Sequence, residues 1–228
     1  MLHKTRGIVL GHIKYRESSV IVKVFTEALG LQSYIVQGVR TKKPKHSIAL
    51  FQPLTLLDMV VYHKKQGGLQ RVAEVKCNRP NSHILGDVKK ATIAIFLAEL
   101  LTKTIREEER NEPLFNFLWH AVVKLDTQAT NYELFYLSFM LQFCHYLGFG
   151  ISTARDIYVQ LRRSGQHWRV DQEAMQSLDI LLAGKLQGYV AIDRNLRRQA
   201  TAVVIKFYQL HIDSLDTLKS LEVLQAIS

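Results

Sequence analysis

Residues 20–36 read VIVKVFTEALGLQSYIV, and their pattern indicates how the first third of the chain folds. Valine occupies positions 20, 22 and 24, and the runs over residues 20–25 and 31–36 fit the period of two that is typical of half-buried β-strands. Gly30 stands between the two runs, where a turn needs a residue with few conformational restrictions. The stretch therefore predicts two short strands joined by a turn.

Similar runs lie on both sides of this pair. One run over residues 8–15 precedes it, and runs over residues 54–62 and 69–77 follow the glycine-containing segments 38–44 and 67–68. Five short strands at this spacing predict a small closed barrel. The OB-fold is the five-stranded barrel most often used for nucleic acid, but an SH3-like barrel would give much the same pattern, so the periodicity leaves both open.

After Pro80 the period becomes that of helices, and we place the domain boundary near residues 78–82. Ile93, Phe96 and Leu97 share one helical face with Leu100 and Leu101. Five further helices are predicted. One starts at Asn111 and Pro113, and the next at Thr130, with Glu133 as its capping-box partner. The others run from Asp171 to Gly184, from about Asp193 onwards, and around Leu218, Leu221 and Leu224. The helix after Thr130 is apolar nearly all round, which predicts a place at the centre of a bundle.

The positive charge lies at one end of the chain. The formal net charge is +10, and residues 1–80 contain 14 Lys or Arg side chains against four acids. The remaining residues contain 16 of each sign and are neutral overall. This asymmetry indicates a polyanion-binding module joined to a neutral one, although a basic but solvated surface would give the same count.

The sequence shows no sign of catalytic or metal chemistry. The two cysteines, Cys77 and Cys144, predict buried thiols, and no Cys-x-x-Cys, His-x-x-x-His or His-Glu-x-x-His motif occurs. Residues 148–150 lack the third glycine of a dinucleotide fingerprint, and a helix end explains them better. We therefore expect no enzyme activity, no metal and no cofactor.

We also expect a cytoplasmic, nucleoid-associated protein with no membrane contact. The longest apolar segment, residues 91–101, contains Glu99 and falls short of the roughly 20 residues that span a bilayer. The first residues lack the apolar segment and cleavage site of a signal peptide.

Two segments identify a family. YRESSVIVKVFTEALG at residues 15–30 resembles the first hairpin of RecO, and GVRTKKPKHS at residues 38–47, followed by FQPL at residues 51–54, resembles its basic loop and next strand. EPLF at residues 112–115, LGF at residues 147–149 and LKSLEVL at residues 218–224 match less sharply. The chain is thus similar to the bacterial RecO family over most of its length.

The resemblance implies an α+β protein, with a five-stranded OB-fold DNA-binding domain at residues 1–80 and a mostly α-helical domain at residues 81–228. It implies a DNA repair and recombination mediator that binds single- and double-stranded DNA without sequence specificity and anneals complementary strands. It further implies that the protein works with RecR, recognises the acidic C-terminal tail of single-strand-binding protein, and helps to load RecA.

One departure from the family concerns zinc. Many RecO proteins carry a four-cysteine zinc module after the Leu-Gly-aromatic element, whereas residues 152–170 of this chain contain no cysteine. The module is therefore degenerate here, and we expect a short hairpin or turn without a metal ion.

The candidate DNA-binding residues are the cations of the first 80 residues. The loop with Arg40, Lys42, Lys43 and Lys45 is the best site, because Gly38 and Pro44 discourage regular structure and four cations can face one phosphate backbone. The other candidates are Lys14, Arg16, Lys23, Lys64, Lys65 and Arg71. Tyr15, Tyr34, Phe51 and Tyr62 could stack on bases or fill the barrel core.

For the acidic partner tail, the candidates are Lys124, Arg155, Arg162 and Arg163, although ordinary solvated charges would look the same. The alternative function is a protein-binding adaptor whose DNA contact is incidental, supported by the neutral, apolar-rich helical half. A third hypothesis is an enzyme that acts on nucleic acid, which a metal-dependent nuclease assay would test.

Overall fold

The computed structural model describes residues 1–41, 44, 46–64, 68–106, 109–165 and 171–227. These residues form two compact units. The barrel unit contains Met1–Gly86 and Leu97–Asp126, and the helical unit contains Asp87–Phe96 and the chain from Thr127 onwards. One helix contributes residues to both units, so the predicted domain division at residue 80 stays a prediction.

The barrel unit begins with five strands. They are β1 (Leu2–Tyr15), β2 (Ser19–Thr26), β3 (Gly30–Val36), β4 (Leu56–Tyr62) and β5 (Gln70–Arg79). The strands close into a barrel in the order β1-β2-β3-β5-β4. All neighbours are antiparallel except β3 and β5, which pair in parallel over Tyr34–Gln70 and Ile35–Arg71. The prediction of a five-stranded OB-fold barrel is confirmed.

The alternation of side chains explains this barrel. Val20, Val22 and Val24 point inwards and belong to the core, where Tyr34 and Phe51 are also fully buried. Gly30 has a φ of 63° at the β2–β3 turn, a backbone conformation that side-chain-bearing residues rarely adopt. A short 3-10 helix over Ile48–Phe51, capped by Ser47, inserts Phe51 into the core.

Three helices belong wholly or partly to the barrel unit: α1 (Ser82–Gly86), the second half of α2 (Val88–Thr104) and α3 (Glu112–Thr127). Asn111 starts α3 as predicted, because its Oδ1 accepts a hydrogen bond from the N–H of Leu114. Asp126, near the end of α3, accepts hydrogen bonds of 3.0 Å from the N–H groups of His83 and Ile84 and so holds the first turn of α1.

The barrel packs on α3 through aromatic residues. The ring centroids of Phe25 and Phe115 lie 6.2 Å apart, and those of Phe115 and Trp119 lie 5.6 Å apart. The Arg6 guanidinium lies 4.8 Å from the Trp119 ring and 5.4 Å from the Phe115 ring. This end of the outer barrel surface is therefore covered.

The helical unit contains the first half of α2 together with α4 (Phe135–Tyr146), α5 (Ala154–Arg163), α6 (Gln172–Ala183), α7 (Arg194–His211) and α8 (Lys219–Ile227). Helix α4 is buried almost all round, as predicted. The Tyr208 hydroxyl donates to the Met140 carbonyl oxygen at 2.6 Å, and the hydroxyls of Tyr136 and Thr201 lie 2.7 Å apart. These bonds tie α7 to the central helix.

The predicted ends of α6 and the predicted start of α7 are confirmed. Asp171 caps α6 by accepting from the N–H groups of Glu173 and Ala174, and Gly184 ends the helix. Asp193 caps α7 by accepting from the N–H of Leu196. The side-chain acceptors satisfy N–H groups that have no partner within the helix.

The predicted start of α4 at Thr130 is wrong. The helix begins at Phe135, and its first flanking residue, Leu134, makes no side-chain cap. Asn131 has a φ of 59°, which lies outside the right-handed helical region and separates Thr130 from the helix. A capping box occurs instead at α5, between Thr153 and Asp156. The Asp156 carboxylate accepts hydrogen bonds from the N–H groups of Ser152 and Thr153 at 2.9 Å.

The hairpin or turn expected over residues 152–170 is also wrong for the part that the structure describes. Residues 154–163 form helix α5, and residues 166–170 lie outside the described residues. Ala154, Ile157 and Leu161 are fully buried at helical spacing, and the Ala154 N–H donates to Asp179 Oδ1 at 2.6 Å. An amphipathic helix therefore occupies the place of the zinc module.

Within the described residues, no helix is both long and apolar enough to cross a membrane.

Candidate nucleic-acid interface

The end of β1, the start of β2, the end of β3 and the start of β5 meet at one end of the barrel. Lys14 pairs with Val20, Val20 with Val36, and Tyr34 with Gln70. We call this end the rim, formed by the described residues 14–18, 37–41, 44, 46–47, 63–64 and 68–71. These described residues include five Lys or Arg residues and a single acid, Glu17. The register of the strands thus gathers cations from three separate parts of the chain.

Two of these cations belong to turns that are hydrogen-bonded to each other. The Arg40 N–H donates to the Ser18 carbonyl oxygen at 3.1 Å, and the Arg40 guanidinium donates to the Arg16 carbonyl oxygen at 3.5 Å. Arg16 has a φ of 53°, and its guanidinium lies 5.3 Å from the Tyr15 ring centroid. Both arginine side chains are exposed, so the turn presents two fixed positive charges to solvent.

The β4–β5 connection supplies two more. Buried Gln70 accepts from the Lys64 N–H at 3.0 Å and donates to the Lys64 carbonyl oxygen at 3.2 Å, which fixes the backbone on both sides of the connection. Lys64 and Arg71 are exposed, as is Lys14 at the end of β1. None of these three side chains forms an ion pair with an acid in the described part of the chain.

Lys23 lies away from the rim. Its Nζ donates to the carbonyl oxygen of Thr102, near the end of α2, at 3.2 Å. Partial burial, reinforced by the nearby charge of Arg106, lowers the pKa of Lys23. The structure thus places this candidate at a helix end, where a cation offsets the partial negative charge of the last carbonyl groups.

Four candidates lie outside the described residues: Lys42, Lys43, Lys45 and Lys65. Arg40 is the one member of the predicted basic loop whose position is described, and it lies at the rim. The roles of all the DNA-binding candidates stay predictions.

The four aromatic candidates separate by burial. Tyr34 and Phe51 are fully buried in the barrel core, and burial raises the pKa of Tyr34. Tyr15 is partly buried beside the Arg16 guanidinium. Tyr62 is 47% exposed on the outer surface of β4, so its ring is available to a base.

An apolar feature beside the rim was not predicted from the sequence. Ile13 pairs with Ile21, and Ile21 pairs with Ile35, so three isoleucines form a row across β1, β2 and β3. We call this row the isoleucine strip. Beyond the strip, the same cross-strand row continues to Arg71 of β5 and then to Tyr62 of β4. The available signal was that residues 20–25 and 31–36 carry apolar side chains at outward as well as inward positions.

A groove elsewhere on the barrel surface differs from the rim in charge. A groove of about 560 Å³ crosses β1, β4 and β5 and is lined by Lys4, Arg6, Lys76, Glu27, Asp58 and Glu74, among others. Arg6 donates two hydrogen bonds to Glu27, at 2.9 and 2.7 Å, and Lys76 lies 3.7 Å from Asp58. Because cations and acids are balanced there, this groove attracts a polyanion far less than the rim does.

The candidates for the acidic partner tail lie in both units. Arg155, Arg162 and Arg163 are exposed on one face of α5, with the 37% exposed side chain of Val159 between them. Lys124 lies on α3 in the barrel unit and is partly buried. The structure therefore brings three of the four candidates together on one helix.

A second cavity in the helical unit, of about 470 Å³, was not predicted. It is lined by Asn131, Glu133, Leu134, Tyr189, Val190, Ala191, Ile192, Asp193 and Arg197. Its two acids and single arginine make it a poorer site for an acidic peptide than the α5 face. Within the described residues, no group of three or more His, Cys, Asp or Glu side chains could hold a metal ion.

Comparisons with known proteins match both halves of the chain to the same family. The family model described as "Recombination protein O N terminal" matches residues 1–81, and "Recombination protein O C terminal" matches residues 85–222. The DNA repair protein RecO of Bacteroides fragilis is 33% identical over 100% of this chain and 99% of its own length. The RecO proteins of Flavobacterium johnsoniae and Flavobacterium psychrophilum are 35% and 36% identical over 98% of both chains. The chain belongs to the RecO family of DNA repair and recombination proteins.

Proposed function

We propose that this protein is a recombination mediator that binds single- and double-stranded DNA without sequence specificity through the barrel rim. In this proposal it anneals complementary strands and, with RecR, helps to load RecA onto DNA coated with single-strand-binding protein. One observation carries the proposal. Strand register and turn hydrogen bonds bring five exposed cations from three chain segments to one end of the barrel. They are Lys14, Arg16, Arg40, Lys64 and Arg71.

The chemistry of the rim fits binding without sequence preference. Lysine and arginine side chains contact phosphates, which every DNA sequence presents in the same way, and the released counterions make the affinity strongly salt-dependent. Annealing follows from the same charges, because two DNA strands repel each other and a cationic surface can neutralise both while they pair. No step of this function requires bond-making or bond-breaking by the protein.

The proposal is tested by strand annealing. Purified protein should bind bare oligonucleotides at low salt and should accelerate the annealing of complementary strands coated with single-strand-binding protein, without any nucleotide. Absence of DNA binding at low salt would favour the adaptor alternative, in which protein contacts dominate. DNA cleavage or nucleotide hydrolysis by the pure protein would contradict the proposal that it has no turnover chemistry.

For the partner tail, the α5 face is the better site. Arg155, Arg162 and Arg163 surround exposed Val159, which suits a peptide that combines carboxylates with an apolar end. The nearest acid on the helix, Asp156, already accepts two backbone hydrogen bonds and therefore opposes such a peptide less. We propose that the acidic tail of single-strand-binding protein binds along this face of α5.

A further inference from the structure

The isoleucine strip differs from an ordinary outer barrel surface. Ile13 is 64% exposed, and its direct cross-strand neighbour Ile21 is partly exposed, as is Ile35 beyond it. Single exposed apolar residues are common on proteins. Three in direct register form a continuous apolar row, since paired side chains on neighbouring strands lie about 5 Å apart.

The surface next to the strip is low and open at its β1 end. The adjacent row on the same face consists of Gly11, Lys23 and Ser33. A Cβ atom placed on Gly11 would meet no other atom of the described residues within 4 Å, so none of them covers the barrel at this point. The Lys23 ammonium group is held at Thr102 rather than projecting over the strip. A flat ligand can therefore reach the strip from the side of Ile13.

Cations surround the strip at its rim edge and at its far end. Exposed Lys14 follows Ile13 at the end of β1, on the opposite face of the strand, and Arg71 pairs directly with Ile35 in the parallel β3–β5 register. Arg71 pairs in turn with half-exposed Tyr62. An apolar row bordered by phosphate-binding groups and ending at an aromatic ring matches what an unpaired strand offers, namely base faces next to a charged backbone.

We propose that the isoleucine strip contacts the bases of single-stranded nucleic acid while the rim holds its phosphates, and that the strip gives the barrel its preference for single strands over duplexes. The proposal rests on the proposed function, which assigns DNA to the rim. A duplex hides its base faces by stacking and pairing, so it gains from the rim cations and gains nothing from the strip. The strip thus distinguishes the two forms of DNA without reading sequence.

Two substitutions at Ile13 test this in opposite directions. Ile13→Thr keeps a β-branched residue on the strand but reduces the apolar contact, whereas Ile13→Phe supplies a ring on which a base can stack. Binding is measured by fluorescence anisotropy with a labelled oligothymidine and with a blunt duplex, each over a series of salt concentrations. The matched control is Val60→Thr, which makes the same kind of change on the outer surface of β4, at the groove.

We expect Ile13→Thr to weaken single-strand binding roughly threefold to tenfold and Ile13→Phe to strengthen it by a similar factor. Duplex affinity should stay within about twofold for both variants. The slope of log affinity against log salt should not change, since no phosphate contact is altered. Because Ile13→Phe is expected to raise the affinity for single strands, a misfolded variant could not produce the expected result.

The outcomes separate the two proposals. If the wild-type protein binds neither DNA at low salt, the proposed function and the role of the strip both fail. If rim variants lose DNA binding while both Ile13 variants bind single strands like the wild type, the role of the strip alone fails, and the strip is then a surface for a protein. Equal changes in single-strand and duplex affinity would also overturn the proposed preference.

Discussion

The backbone N–H of Arg40 donates a 3.1 Å hydrogen bond to the carbonyl oxygen of Ser18. This bond joins the turn after β3 to the β1–β2 turn, so the start of the basic loop lies next to Arg16 although 24 positions separate the two residues. Arg40, at the start of the predicted loop, is therefore one part of a larger cationic rim. Its contribution to DNA binding should be measured together with that of the neighbouring turn.

The basic loop should contribute to the salt dependence of DNA binding. Changing Arg40, Lys42, Lys43 and Lys45 together to Ala should weaken single-strand binding similarly for every sequence. The slope of log affinity against log salt should fall by nearly 3, at roughly 0.7 for each lost phosphate contact. Each substitution in this loop should change the free energy of unfolding by no more than about 0.5 kcal/mol. An unchanged slope in a folded variant would leave the phosphate contacts to Lys14, Arg16, Lys64 and Arg71.

The side chain of Arg16 should be unfavourable for the stability of the fold but favourable for DNA binding. Its φ of 53° costs about 1 kcal/mol or more for a residue with a side chain, and glycine removes that cost but is more flexible when unfolded. For Arg16→Gly we expect a free energy of unfolding within about 1 kcal/mol of the wild type and a salt slope lower by roughly 0.7. Glu17→Gln in the same turn is the control, and it should bind DNA more tightly. A slope unchanged by Arg16→Gly would show that this side chain contacts no phosphate.

The ion pair between Arg6 and Glu27 should make stability depend on pH. The hydrogen bonds from Arg6 are the main cause that lowers the pKa of Glu27. The carboxylate therefore stabilises the fold at pH values above its ordinary pKa, and this contribution is lost as the pH falls through the lowered value. Glu27→Gln should reduce the free energy of unfolding by up to about 1 kcal/mol near pH 7, and the difference from wild type should disappear in acid.

The measurement is urea unfolding at several pH values. Glu74→Gln is the matched control, because Glu74 lines the same groove and forms no ion pair with a cation among the described residues. It should leave the free energy of unfolding nearly unchanged at every pH. If Glu27→Gln had the same effect at acid and neutral pH, packing rather than charge would be its cause.

The α5 face should bind the acidic tail independently of DNA. Changing Arg155, Arg162 and Arg163 together to Gln should weaken binding of a tail peptide roughly tenfold, at about 0.5 kcal/mol for each exposed charge contact. The salt slope for single-stranded DNA should not change. Arg198→Gln on α7 is the control, since Arg198 is an exposed arginine of the same unit outside this face. Retained peptide affinity in the triple variant would move the site to Lys124 or to the cavity at Arg197.

The sequence predicted the elements well where side-chain pattern alone determines them. The alternation around Val20, Val22 and Val24 gave the strands, and Asn111, Asp171 and Asp193 marked helix starts because each accepts from backbone N–H groups just after it. Thr130 failed as a helix start because the left-handed backbone of Asn131 intervenes, which no pattern of apolar residues reveals.

The second failure, over residues 152–170, has another cause. The prediction rested on the zinc module of related proteins, whereas the apolar residues Ala154, Ile157 and Leu161 have helical spacing. For the site, the sequence supplied the cations but not their convergence, because the position of Arg40 beside Arg16 depends on a turn hydrogen bond. The isoleucine strip depends on strand register, which the pairing of Ile13, Ile21 and Ile35 fixes only in three dimensions.

The packing of Arg6 and Phe25 against Phe115 and Trp119 has a consequence for synthesis on the ribosome. All five strands have been translated once Arg79 is added, yet the side chains that cover this part of the barrel follow more than 30 positions later. The nascent barrel therefore exposes Phe25 until α3 emerges. A stalled or truncated chain that ends in this interval carries an uncovered aromatic surface, which makes it a substrate for chaperones and proteases.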